Sequence, residues 1–274
     1  MTRTAEATSS HVTSVDGTRI AVHISGEGRP LVVVHGTTSD HTTWRLVLPF
    51  LEPHVEVHAV DRRGRGHSGD SEDYDLGKEC EDLAAVVEAA AAASGSPVDL
   101  LGHSYGGNIA FRTASRTANI HKLVLYEGWP APNAAHRLVR PSLMTHLEKL
   151  LADDRPEEML VAFYRDMVLM SDEEITTLQA SPTWLARVAA AGTVPRELRA
   201  FGEHPFDPAT AARIDVPVLL LVGENSPDEI KADPEIVAAA LPDAGVRVLA
   251  GQAHMAHLTA PETFADEVWS FLRG

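Results

Sequence analysis

The sequence predicts an α/β fold: a mostly parallel sheet with helices on both faces and a helical insertion near one edge. Three observations predict it. Strand-like and helix-like segments alternate from residue 31 to 128, and again from 217 to 272. The strand-like segments are continuous apolar runs, such as LVVVHG (31–36) and PVLLLVG (217–223), the pattern of strands buried on both faces. Between the two alternating blocks, residues 130–207 carry mostly helical periodicity and are bounded by the proline-bearing segments WPAPNA and EHPFDPAT. Alternation favours parallel pairing, because each helical crossover returns the chain to the same edge of the sheet.

In chain order, residues 1–11 are polar and small and read as a disordered tail. HVTSVDGTRIAVHISG (11–26) alternates around Asp16-Gly17, a hairpin signal. After the strand at 31–36 come a short helix at 42–53 and a strand, VEVHAVD (55–61). A long helix at 75–95 is closed by Gly95, and its alanine-rich end reflects helix propensity. VDLLGHS (98–104) is a strand, GGNIAFRTASRTA a helix and KLVLYEG (122–128) a strand. Beyond the insertion, strands at 217–223 and 246–251 flank a helix near DPEIVAAALP, and PETFADEVWSFL (261–272) is the last helix. The core domain is therefore 12–129 plus 208–274. The insertion should sit as a cap over the carboxyl edge of the strands, where ligands bind in such sheets.

Composition narrows the function. The chain has 274 residues, 44% hydrophobic and 23% charged, as in an ordinary globular protein. A formal charge of −16 argues against nucleic acid and anionic membranes as partners and is otherwise read as solubility; the expected partner is a small-molecule substrate. Cys80 is the single cysteine, which excludes an intrachain disulfide, and it lies in a helical pattern as a structural thiol. The N-terminus lacks a signal-peptide core, so a cytoplasmic protein is expected, as monomer or homodimer.

The chemistry centres on GHSYG (102–106), which matches G-x-S-x-G between a buried strand and a helix. Flanking glycines let Ser104 occupy a sharp turn with its hydroxyl clear of the sheet, and the Tyr105 N–H at the helix start can help hold an oxyanion. A serine hydroxyl needs a base. His254 in GQAHMAHL lies between the strand at 246–251 and the last helix, at the same sheet edge; His257 is its rival. The pair lacks an HExxH pattern or an acidic third ligand for a metal.

LVVVHGT, DRRGRGHSG, LLGHSYGG and GQAHMAHLTAPETFADEVWSFL, in this order and spacing, resemble the α/β-hydrolase superfamily, and more narrowly its small, capped serine esterases and lipase-like members. The resemblance covers residues 12–274 and implies a mostly parallel eight-stranded sheet with a helical cap. It implies Ser104 as nucleophile, His254 as base and an oxyanion hole from the backbone N–H groups of Thr37 and Tyr105. It implies no metal or organic cofactor. His35 would brace the loop, and a serine at the elbow differs from the aspartate of related dehalogenases and epoxide hydrolases.

The sequence departs from the family at the acid. The usual site, after PVLLLVG, reads GENSPDE, with Asn225 and Ser226 where a carboxylate is expected. Ser226-Pro227-Asp228-Glu229 reads as a helix start with a capping box. Three readings remain: Glu127 at the end of KLVLYE, where some relatives carry their acid, is preferred; Asp228 and no effective acid are the others. GRGHSG (64–69) imitates a dinucleotide fingerprint, but its context is wrong, and Arg62, Arg63 and Arg65 are expected to stabilise that loop. Met144, Phe163, Met167 and Trp184 of the insertion are candidates either for an apolar pocket wall, with His41 and Trp44, or for helix-to-helix packing. The reading is hydrolysis of a carboxylic ester, thioester or lactone. Alternatives are a lyase or cyclase using the same serine and histidine, or a ligand-binding protein on a disabled scaffold.

Overall fold

The computed structural model describes residues 8–133 and 139–274. Eight strands form one sheet in the order β1-β2-β4-β3-β5-β6-β7-β8. They are β1 (Thr8–Thr13), β2 (Arg19–Gly26), β3 (Arg29–Val34), β4 (Val55–Val60), β5 (Val98–His103), β6 (Ile120–Tyr126), β7 (Val218–Gly223) and β8 (Ala244–Leu249). β1 pairs antiparallel with β2, and β2 with β4; the remaining pairs are parallel. β3 to β8 therefore all end at one edge.

The helices are α1 (Leu48–Leu51), α2 (Leu76–Ser94), α3 (Tyr105–Ala114), α4 (Pro141–Ala152), α5 (Pro156–Asp166), α6 (Asp172–Gln179), α7 (Trp184–Ala189), α8 (Val194–Glu203), α9 (Pro208–Ala211), α10 (Asp228–Ala238), α11 (Ala256–Thr259) and α12 (Pro261–Arg273). Among the described residues, no helix is long and apolar enough to cross a membrane.

Alternation along the buried strands fills both faces. Val32, Val34, Leu100 and Leu123 pack with Leu83 and Val86 of α2 and Ile109 of α3. Leu31, Val33, Leu101 and Val124 face the other way, onto Trp44, Val47, Phe264 and Val268. The insertion has its own apolar centre, in which Leu147, Met159, Leu160, Phe163 and Val194 meet.

Three sequence expectations change. Residues 8–11, expected in the tail, belong to β1 and pair with Ile24 to Ala21 of β2. Its side chains are mostly exposed, so the strand is held by its backbone ladder rather than by apolar burial, and composition conceals it. The helix expected at 42–53 is a 3-10 turn at His41–Trp44 followed by α1, because Pro49 fits only the first turn of a helix. The helix near 233–242 starts earlier, at Asp228.

Leu100 in β5 is fully buried and Val248 in β8 is 60% exposed. Leu100→Ala is expected to cost about 2–5 kcal/mol of stability, whereas Val248→Ala should stay within about 0.5 kcal/mol; urea midpoints of the two variants check this.

Candidate active site

Register places the site. His103 of β5 pairs with Tyr126 of β6, which pairs with Leu221 of β7. Ser104 and Glu127, the next residues on their strands, therefore leave the sheet side by side. Ser104 stands at the N-cap of α3 with φ 54° and ψ −126°, a conformation costly for a residue with a Cβ. Close backbone contact enforces it: a Cβ at Gly106 would lie 2.4 Å from the His35 carbonyl oxygen, and one at Gly102 2.5 Å from the Gly107 Cα. The turn is thus over-determined, and the Ser104 side chain reaches the cavity described below.

The loop after β3 packs directly on this elbow. A Cβ at Gly36 would approach the Ser104 Cβ to 2.9 Å. His35 is fully buried; its Nδ1 donates to the Gly36 carbonyl (2.9 Å) and its Nε2 accepts from the Arg62 N–H (3.1 Å). Burial and the Arg62 charge hold this imidazole neutral, well below its ordinary pKa, so it braces the loop. Thr38 takes a left-handed φ of 64°, and its hydroxyl donates to the Thr37 carbonyl at 2.6 Å.

Three insertion helices, α5, α7 and α8, grip the same loop, a feature the sequence reading missed. Arg187 of α7 donates to Ser39 Oγ (2.7 Å) and to Tyr164 Oη (3.2 Å), and Tyr164 Oη lies 2.5 Å from Thr38 Oγ1. Glu197 of α8 accepts from Arg62 (2.7 Å) and Arg65 (2.5 Å), while Arg62 also reaches Glu79 and the Gly36 carbonyl. Arg63 pairs with Asp82 at 2.6 and 2.7 Å, so all three arginines of DRRGR are committed to ion pairs. An arginine inside the apolar run WLARVAAAG is an available signal, because a charge buried with such a run requires partners.

The imidazole and the carboxylate meet. His254 Nδ1 donates to Glu127 Oε2 at 2.7 Å. A carboxylate only accepts, so this places a proton on Nδ1, and in the neutral ring Nε2 is then the acceptor. Glu127 Oε1 accepts from the Gly223 N–H (2.7 Å) and from Ser226 Oγ (2.5 Å). Burial alone would raise the Glu127 carboxyl; the His254 hydrogen bond and charge, with the Ser226 and Gly223 donors, outweigh it and hold the group below its ordinary value. Glu127 itself has φ 43°. The His254 loop is held from below: His103 Nε2 donates to the His254 carbonyl (2.9 Å), and Tyr126 Oη accepts from the Ala256 N–H (2.9 Å).

Ser226 is thus no helix cap. Pro227 occupies the N-cap of α10 and has no side-chain acceptor to cap it, while the Ser226 hydroxyl is turned inward onto Glu127. Asp228 is 97% exposed at its side chain and pairs with Lys231 at 3.0 Å. His257, the rival to His254, is fully buried with Nε2 3.2 Å from Thr43 Oγ1, and burial followed by the Arg187 charge keeps it neutral. Cys80 is buried, and burial pushes its thiol up to about 11.

A cavity of about 580 Å³ lies between the sheet edge and the insertion, lined by Ser104, Tyr105, Thr37, Glu127 and His254 on the core side. Phe163 and Met167 line it. Leu143, Val168, Leu198 and Phe201 of the insertion do so as well, with Trp129 and Ile230 of the core, and were missed, because their places on the wall depend on the folded path of the chain. Four expected wall residues lie elsewhere. His41 turns to Asp61, with Nδ1 2.8 Å from Oδ1. Trp44 is 1% exposed and packs on His257 and Phe264. Met144 and Trp184 pack into the insertion's own centre.

The sequence profile of the alpha/beta hydrolase family matches residues 31–267. The chain belongs to the alpha/beta hydrolase family. Its fold agrees with a solved alpha/beta hydrolase from Sphaerobacter thermophilus at TM-score 0.84 and 32% identity, over 96% of this chain and 100% of that one. Among curated relatives, it is 37% identical over 119 residues to the N-formylmaleamate deformylase of Pseudomonas putida, 43% of each chain. It is 29% identical over 132 residues to the pimeloyl-acyl-carrier-protein methyl ester esterase of Vibrio campbellii, 47% of this chain and 49% of that one. The match spans about half the length of these curated relatives.

In this alpha/beta hydrolase, the ionised Glu127 has a depressed folded pKa, so it contributes stability above its ordinary value of about 4.5, lost as pH falls through the folded value. Glu127→Gln is expected to flatten the fall in stability below about pH 4.5, read as urea midpoints across a pH series.

Proposed function

We propose that the protein is a serine hydrolase that cleaves a carboxylic ester, thioester or lactone of a small, partly apolar molecule. The observation that carries this reading is the 2.7 Å hydrogen bond from His254 to the buried Glu127, beside the cavity that both share with Ser104. In this reading His254 Nε2 takes the proton of Ser104 Oγ as the hydroxyl attacks the carbonyl carbon. The backbone N–H groups of Thr37 and Tyr105 receive the developing oxyanion, and the start of α3 adds its positive dipole end.

Collapse of the tetrahedral species breaks the carbonyl C–O or C–S bond, and the departing oxygen or sulfur, which in a lactone stays tethered to the acyl chain, takes the proton from His254. Water, activated by the same imidazole, then releases the acid and frees Ser104. Glu127 holds the tautomer and balances the imidazolium. The insertion acts as a cap whose Phe163, Met167, Leu198 and Phe201 favour an apolar portion of the substrate. The Vibrio campbellii relative's name, a methyl ester esterase, is consistent with an ester bond.

The disabled-scaffold reading rests on a missing acid, and the Glu127–His254 hydrogen bond supports the working-triad reading instead. A fluorophosphonate probe is expected to label the protein and to fail on Ser104→Ala. Glu127→Gln should lower turnover of a short p-nitrophenyl ester by about 10⁴-fold, while Asp228→Asn leaves it nearly unchanged. Absence of labelling, or equal and small effects of the two substitutions, would overturn the assignment.

A further inference from the structure

Outside the cavity, three histidines surround one buried carboxylate. His23 comes from β2, His41 from the turn that follows the loop after β3, and Asp61 and His67 from the segment after β4. His23 Nε2 lies 3.1 Å from Asp61 Oδ2, His67 Nδ1 lies 3.6 Å from that oxygen, and the two ring nitrogens are 3.4 Å apart. A tetrahedral zinc ion with bonds of 2.0–2.1 Å separates its donor atoms by about 3.3–3.5 Å. These three atoms therefore trace one face of such a tetrahedron. His41 Nδ1 lies beside the other carboxylate oxygen, 2.8 Å from Oδ1, and one ligand atom from each of the four residues lies within 4.8 Å of the rest.

We propose that His23, His41, His67 and Asp61 bind one divalent transition-metal ion of the zinc class. The donor chemistry selects it: three imidazoles and one carboxylate suit zinc, copper or nickel, whereas calcium and magnesium call for oxygen. The carboxylate is held in place without any ion, since Asp61 is fully buried and accepts the backbone N–H groups of His41 (2.8 Å) and His67 (2.9 Å). Such outer bonds fix a ligand's direction. Gly66, at φ 48°, keeps the carboxylate clear, because a Cβ there would sit 2.2 Å from Asp61 Oδ2. Access exists from solvent: the His67 side chain is 67% exposed.

Binding exchanges the ring-to-Asp61 hydrogen bonds for bonds to the ion, since a ligating ring nitrogen must be unprotonated. It also requires the His23 and His41 rings, now stacked at 3.5 Å between centroids, to splay. The ion would tie β2, the His41 turn and the 62–69 segment together. It is a brace rather than part of the reaction, as none of the four residues lines the cavity.

The test uses untagged full-length protein stripped with a chelator and titrated calorimetrically with Zn²⁺. One saturable equivalent is expected, with a melting temperature that rises with Zn²⁺. His67→Ala and His23→Ala should each weaken binding by at least about tenfold, while His54→Ala, which stacks on Trp269 elsewhere, leaves it unchanged. Metal-free melting checks that the variants fold. Should they not, the visible spectrum of the wild-type protein with Co²⁺ decides: a four-coordinate, nitrogen-rich ligand field supports the site. An aqua-ion spectrum, absence of a one-equivalent site, or binding undiminished in both folded variants would overturn it.

Discussion

The structure around the cavity depends on the burial of one carboxylate. Glu127 ends an apolar strand, and an ionised group there is tolerated only with donors on both oxygens. Those donors come from three places: the Gly223 N–H at the end of β7, the Ser226 hydroxyl beyond it and the His254 ring after β8. Satisfying the carboxylate therefore draws the ends of β6, β7 and β8 to one point. The imidazole that meets it is oriented by the same requirement. Stability and proposed chemistry thus share a cause at this position.

A second constraint acts from the opposite side. The loop that carries Thr37 contains a left-handed threonine and lies against the elbow with no room for a side chain at Gly36. A strained loop persists only where its surroundings hold it. Here Arg187 and Tyr164 grip one flank through hydroxyls, while Glu197 reaches the other through Arg62. All three of Arg187, Tyr164 and Glu197 belong to the insertion. The insertion is therefore more than a roof over the cavity, because it also sets the geometry of the loop on the cavity floor.

The sheet was legible in the sequence because buried parallel strands leave continuous apolar runs, and LVVVHG, VDLLGHS and PVLLLVG each contain a strand. β1 was not, because an exposed edge strand is specified by backbone pairing that polar side chains do not reveal. The serine elbow was legible because its glycines answer to a steric demand at fixed spacing. Ser226 was misread for an instructive reason: serine before proline and acids is a good cap, and the competing demand, a buried carboxylate on a neighbouring strand, is invisible in local sequence. The pocket wall was the least legible part. Trp44 and His41 follow the right loop in sequence, yet one is drawn into the core and the other to Asp61, and only the folded path separates them.

The pairing of Ser226 with Glu127 has a consequence for how such sites can change. What the imidazole requires is an anionic oxygen at one point in space, and the backbone that delivers it is secondary. Two adjoining loops here jointly fill one socket, one contributing the charge and the other a hydroxyl that steadies it. The charge can in principle move from one loop to its neighbour while the occupied volume and the count of hydrogen bonds stay nearly constant. A gap at a familiar position in a motif is then a prompt to inspect the adjacent strand before concluding that the function has been lost.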